Sequence, residues 1–396
     1  MLKKIFYNFQ NSVGFTLINL IIVVYTLKYL GTSGRGSVSL FLLNVSIIQI
    51  FTAVIGTSSI GFVVSRLPLS SVVLASTLWT FLVSIFTGVI MYYIKVIPFG
   101  YFYVTLVSAV LFSIIQNFME IFLIKNHHFK YNLARILQPI IQLILVFVFI
   151  QLYGKLNVAD YIHCLIAALI VNSIYTGYQL KSNFYLEKIK RLEVTFTIIF
   201  KIGIVNQLNN LIQLFNLRIT FFFINKLLGV AMLGFFSIAI LISESVWMFS
   251  KSVSLIFFSE IVKKKDSTGL KPLRSKALFI SFLGTLVILA GVLLLPDFVF
   301  VKLFGADFSN LKAIIIFFVP GILIKSLNTI YLEYNAVIGK RYVNTRSSVS
   351  GFVTMAILGY VLTYKFGLYG AATASSISQI SSFAYLLWAE KRIKIT

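Results

Sequence analysis

Six charged residues fall inside long apolar stretches of this chain: Glu120, Arg218, Glu244, Lys251, Lys325 and Glu333. A lone charge held in hydrocarbon costs on the order of 3 kcal/mol or more, so such residues normally face a partner or a watery cavity. The chemistry open to them is electrostatic: holding an anion, exchanging an ion, or pairing with one another. Glu244 precedes Lys251 by seven residues, which places the two about 20° apart on a helix. Glu244 is therefore either a titrating, ion-coupling group or one half of a static ion pair. Arg218, Lys251 and Lys325 are candidates for a cationic cavity. Asn206, Asn210 and Gln213 lie within about 60° of one another on a helix, with Gln207 and Asn209 at the margins. Amides so placed either bind sugar hydroxyls or tie neighbouring helices together.

Other motifs point away from catalysis and metals. Gly31-Thr-Ser-Gly-Arg-Gly36 lacks the Gly-Lys-Ser/Thr ending of a phosphate loop and reads as a tight turn. The pair His127-His128 diverges by about 100° on a helix and has no nearby carboxylate, His163 stands alone, and Cys164 lies mid-helix. With 11 acidic residues in the chain and no nucleophile elbow, Walker or zinc pattern, the expectation is a non-enzyme without cofactor or metal.

The elements that must position these residues follow from composition. With 59% hydrophobic residues, 11% charged and a mean hydropathy of +0.96, the chain is not a soluble domain. About twelve apolar runs long enough to span a bilayer are expected near 12–29, 38–60, 69–94, 101–124, 136–153, 161–180, 196–224, 230–258, 277–295, 313–338, 348–364 and 368–388. All exceed the length of a barrel strand, so the fold class is an all-α polytopic membrane protein. Pro68, Pro98, Pro272 and Pro296 fall in predicted connections, Pro139 is placed to kink the fifth helix, and Pro320 with Gly321 to break the tenth. Of the 34 Lys and Arg residues, 23 fall at the termini and in the even-numbered loops, 8 in the odd-numbered loops and 3 within spans. This bias predicts cytoplasmic termini. The net charge of +23 is scattered over short loops instead of one face with aromatic platforms, which favours anionic membrane lipids over nucleic acid as the partner. The first apolar segment spans outright and reads as an uncleaved helix.

A repeat organises the chain. Gly31 to Gly36 is echoed by Gly229-Val-Ala-Met-Leu-Gly234, and Asn8 and Asn11 by Asn206 and Asn209 at the same offset. Two parallel six-helix lobes are expected, over 1–180 and 195–396, joined by a cytoplasmic linker at 181–194. Parallel lobes commonly enclose a substrate site.

The turn Tyr29-Leu30-Gly31 to Gly36, its echo Leu228-Gly229 to Gly234, Leu303-Phe304-Gly305 and Phe366-Gly367-Leu368-Tyr369-Gly370-Ala371-Ala372 resemble polysaccharide-repeat-unit flippases of the Wzx type. These belong to the MOP superfamily with the MATE exporters and the lipid II flippases. The resemblance covers nearly the whole chain in length and helix count and transfers no invariant residue. It implies a MATE-like carrier in the bacterial cytoplasmic membrane that moves an undecaprenyl-pyrophosphate-linked oligosaccharide to the outer leaflet for O-antigen, capsule or exopolysaccharide assembly, beside a polysaccharide polymerase. What it carries over is a cationic cavity, for which Arg218, Lys251 and Lys325 stand here. Two rivals remain: a MATE-like ion-coupled small-molecule exporter, and a glycan polymerase or ligase. The second is disfavoured because the longest odd loop, near 296–312, holds only about 17 residues. By topology Glu120, Lys251, Glu333 and Arg218 lie within reach of an interface and can snorkel, whereas Glu244 and Lys325 lie deeper.

Overall fold

The computed structural model describes residues 2–56, 59–60, 67–125, 127–181, 192–263 and 270–393. Eleven α-helices account for most of them: α1 Leu2–Thr52, α2 Leu69–Tyr93, α3 Phe102–Ile124, α4 His128–Tyr153, α5 Val158–Leu180, α6 Leu192–Leu228, α7 Val230–Lys263, α8 Leu270–Leu294, α9 Asp297–Phe304, α10 Leu311–Val337 and α11 Arg341–Ile393. Ten are long and apolar enough to cross a membrane, α9 being the exception. The twelve expected runs fall wholly or mainly on these ten helices, because α1 and α11 carry two each; the run expected at 38–60 continues past the end of α1, and its residues 57–58 lie outside the described residues. At 51 and 53 residues, both are more than twice the length needed to cross about 30 Å of hydrocarbon. Each turns at one glycine, Gly31 (φ 63°, ψ −176°) and Gly367 (φ 60°, ψ −137°), in a backbone region open essentially to glycine alone. No loop is needed. The expected outer loop near 296–312 instead holds the short helix α9, and Pro272 sits in the first turn of α8, where the N–H it lacks would have no helical partner.

Helix α2 shows why this is a membrane fold. Six of its ten buried positions are small and polar (Ser70, Ser71, Ser76, Thr80, Ser84, Thr87), while Leu82 and Phe86 are 65% and 68% exposed. Small residues let helices approach closely where lipid provides no hydrophobic drive, and Ser76 and Thr80 bond back along their own helix, Ser76 Oγ donating to the Val73 carbonyl at 3.0 Å and Thr80 Oγ1 to the Ser76 carbonyl at 2.8 Å. The chain is accordingly a multi-pass membrane protein.

Two compact units are formed. The first comprises Met1–Leu20, Gly31–Gly36 and Ile212–Thr396, the second Ile21–Leu30 and Ser37–Leu211. In the second, α3 packs on α2, α4 and α5 around Ile55, Val72, Ile121, Phe122 and Ile199. In the first, α10 packs on α7, α8 and α11, with Val253, Phe257, Ala277 and Ile330 in the core. Most of the charged connection expected at 181–194, residues 182–191, lies outside the described residues.

The repeat has a physical counterpart inside the first unit. Gly31 and Gly229 both take positive φ where one helical segment passes to the next. Gly36 and Gly234 take part in a reciprocal contact: a Cβ on Gly36 would overlap the Val230 carbonyl, and a Cβ on Gly234 would overlap the Thr32 carbonyl. Gly31 to Gly229 and Gly36 to Gly234 span the same sequence offset.

Helix α10 runs on through Pro320 without the expected break, but its hydrogen-bond ladder is modified there. The Gly321 N–H donates to Ser376 Oγ at 3.2 Å, and Ser376 Oγ donates to the Phe317 carbonyl at 2.7 Å, the acceptor an unmodified helix would give to Gly321. A neighbouring serine thus bridges the ladder that proline weakens. Pro139 likewise lies inside a continuous α4.

Candidate functional site

A small cavity of about 70 Å³ lies within the first unit, where four helices meet. Helix α7 contributes Ile240, Ser243, Glu244 and Trp247, and α10 contributes Phe318, Gly321, Ile322 and Lys325. Each set is spaced i, i+3, i+4, i+7, so one stripe of each helix faces the space. Asn216 and Leu217 of α6 and Ser375 and Gln379 of α11 complete the wall.

The charges are arranged around an aromatic plate. Lys251 Nζ lies 4.2 Å and Lys325 Nζ 5.4 Å from the centre of the Trp247 ring, both within cation–π range. Arg218 Nη2 pairs with Glu244 Oε1 at 2.8 Å, and its guanidinium lies 5.3 Å from the Phe221 ring. Lys251 and Glu244 both act electrostatically on Lys325. Three cations and one carboxylate leave this cluster with a net charge of +2, counted over Arg218, Lys251, Lys325 and Glu244.

The neutral groups are partly committed. Asn216 Oδ1 accepts from Ser378 Oγ at 2.6 Å, which also donates to the Gly351 carbonyl. Gln379 is 8% exposed, and its Oε1 has no hydrogen-bond partner among the described residues. An unsatisfied buried carbonyl beside a cavity is an acceptor ready for a hydroxyl, a water or a cation.

Four of the six charged residues singled out in the sequence are thus gathered around one aromatic plate; Glu333 lies in the same unit but outside the cavity wall, and Glu120 lies in the other unit. Glu244 pairs with Arg218, whereas the helical spacing had pointed to Lys251. Lys251 is exposed, reaching the cluster through Trp247 instead of lining the cavity. The amide face of α6 is divided. The Asn206 side chain lies outside the described residues, and Gln213 is half-buried and outside the cavity wall. Asn210 is exposed and donates to Gln207 Oε1 at 3.0 Å, while Gln207 donates to the Ala53 carbonyl at 3.2 Å. Those two side chains join α6 to the segment after α1 within the second unit, as amides tying helices together do. Sequence reasoning passed over Trp247, Asn216, Gln379, Ser243 and Ser375. For Trp247 a signal existed: it stands three residues after Glu244 and four before Lys251, on their shared face.

No family model matches the sequence, and no curated protein aligns with it. Solved structures do resemble the fold. The lipid II flippase MurJ, in an inward closed conformation, superposes with a TM-score of 0.77 at 15% identity, covering 98% of this chain and 87% of that one. An inward-facing multidrug resistance MATE family transporter of the MOP superfamily gives 0.74 at 15% identity, with 96% and 95% covered. A Vibrio cholerae MATE transporter gives 0.70 at 13% identity, with 100% and 97% covered. The chain has the fold of these transporters over nearly its whole length.

Proposed function

We propose that this chain, folded like MurJ and the MATE transporters, is a flippase that carries an undecaprenyl-pyrophosphate-linked oligosaccharide across the bacterial cytoplasmic membrane by alternating access. In this reading both termini are cytoplasmic, the six-helix lobes 1–180 and 195–396 move about the substrate, and the product feeds a surface-polysaccharide polymerase. The observation that carries it is the net +2 cluster around Trp247. A pyrophosphate diester carries two negative charges and matches that excess. At an effective dielectric near 20, two opposite unit charges 4 Å apart attract by about 4 kcal/mol before desolvation is counted, against about 1 kcal/mol in bulk water. Arg218 offers a planar donor fork suited to phosphate, and Trp247 a flat face of the kind that takes an apolar sugar surface.

The present cavity, at about 70 Å³, is far smaller than the roughly 300–1,000 Å³ of sites that enclose small molecules. Binding a glycan headgroup therefore requires the side chains around Trp247 to move apart, while the lipid tail stays in the bilayer. Glu244 supplies a trigger. Neutralising its carboxylate with a proton, or occupying it with a sodium ion, releases Arg218 to the phosphate.

The test is export of surface polysaccharide. Lys325→Ala and Arg218→Ala are expected to abolish it while the protein remains in the membrane at normal abundance; normal export by both variants would overturn the cationic-site reading. A second reading, a MATE-like ion-coupled exporter of small molecules, is favoured by one observation: Glu244 lines the same cavity and is a carboxylate accessible to a cationic substrate or ion. Transport of organic cations by the protein in vesicles, with no effect on lipid-linked glycans, would select that reading.

A further inference from the structure

A second cavity belongs wholly to the second unit. A groove of about 300 Å³ runs between α2, α3 and α5, lined by Leu69, Val73, Phe118, Gly177, Leu180 and Lys181. That volume is at the lower end of small-molecule sites. The groove is open partly because Gly177 has no side chain: a Cβ there would meet only Phe118 Cε2, at 3.9 Å, so a larger residue would project into free space. Beside it, α5 presents Ile174 and Tyr178, 66% and 70% exposed, an apolar face that lipid covers in a bilayer.

The rim is basic. Lys181 is exposed at the end of α5, its ammonium 6.0 Å from the Tyr178 ring centre. Lys125 follows Phe118 by seven residues, two turns along the same face of α3, just beyond the end of that helix. It is half-buried, and burial alone pushes its ammonium below the usual lysine range. A phosphate nearby would relieve that penalty.

We infer that this groove binds an anionic phospholipid, one acyl chain lying between α2, α3 and α5 and the headgroup phosphate held by Lys181 with Lys125 behind it. An apolar slot ending in two cations at the membrane–water boundary matches both halves of such a lipid. A zwitterionic lipid fits less well, because its own cation approaches the lysines.

The full-length protein, purified in detergent and equilibrated with equal amounts of phosphatidylglycerol and phosphatidylcholine, would be examined by native mass spectrometry for retained lipid. Wild type is expected to retain phosphatidylglycerol in preference. Lys181→Gln should weaken that preference about fivefold, the equivalent of one lysine–lipid charge contact. Gly177→Leu should lose one lipid of either kind. Lys181 is exposed, so its variant is expected to keep the wild-type melting temperature and serves even if Gly177→Leu folds poorly. Unchanged phosphatidylglycerol retention in Lys181→Gln would overturn the inference. So would undecaprenyl phosphate displacing phosphatidylglycerol from wild type but not from Gly177→Leu, which would assign the groove to an isoprenoid tail.

Discussion

Arg218 is paired with Glu244 in this structure, and the proposed cycle has it exchange that carboxylate for the substrate phosphate. That exchange is the residue-scale core of the proposal, and it separates two variants that simple charge counting would not. Glu244→Gln frees Arg218 and raises the cluster from +2 to +3, so substrate binding should tighten while the dependence of transport on the proton or sodium gradient changes. Vesicle transport at imposed gradients measures this, and an unchanged dependence removes Glu244 as the coupling group. Arg218→Gln instead strands the carboxylate. Because both side chains are 27–30% exposed, a double-variant cycle on thermal unfolding in detergent should give a coupling of only about 1 kcal/mol. Trp247 should tolerate Phe better than Ala in transport, since the cation–π plate survives in Phe though with a weaker face. Equal loss in both variants would argue against that role.

Among the elements, α10 carries the most specific mechanical feature. Ser376→Ala leaves both the Gly321 N–H and the Phe317 carbonyl without the bridging hydroxyl, at an expected cost of about 1–3 kcal/mol. Gly321→Ala should cost at least as much, because its Cβ would lie 2.7 Å from the Ser376 Cα, which is backbone and cannot rotate away. Melting temperatures of the purified variants check both. The elements also show what a sequence reveals. Twelve apolar runs were legible because crossing a bilayer demands only length and composition, and Gly31 and Gly229 because a repeat exposes them. The continuity of α1 and α11 through their turns was not, since a glycine kink and a short loop share a composition. Ser376 was invisible as a partner of α10 because it lies 55 residues from Gly321, and nothing local distinguishes it from the other serines of α11. Among site residues, the intramembrane charges announced themselves by their cost. Asn216 and Gln379 did not, as single amides occur in several helices and only packing decides which face a cavity.

At the scale of the whole molecule, the asymmetry of basic residues predicts cytoplasmic termini, an orientation that fusions can test. Green fluorescent protein fused after Thr396 should fluoresce, and alkaline phosphatase fused there should be inactive; the reverse pattern would invert the topology. The apolar outer faces, among them Leu82, Phe86, Phe279 and Ile357, fit the same bilayer-embedded arrangement. The reciprocal packing of Gly36 and Gly234 bears on how variation at one position is felt at the other. Each glycine leaves room for the carbonyl one turn before the other, so a methyl added on either side pushes the same two backbones apart. Once they have separated, the second methyl enters space already made. Gly36→Ala and Gly234→Ala should therefore show strong positive epistasis, the double variant losing little more stability than the worse single one. Genetically, two positions nearly two hundred residues apart would act as one locus.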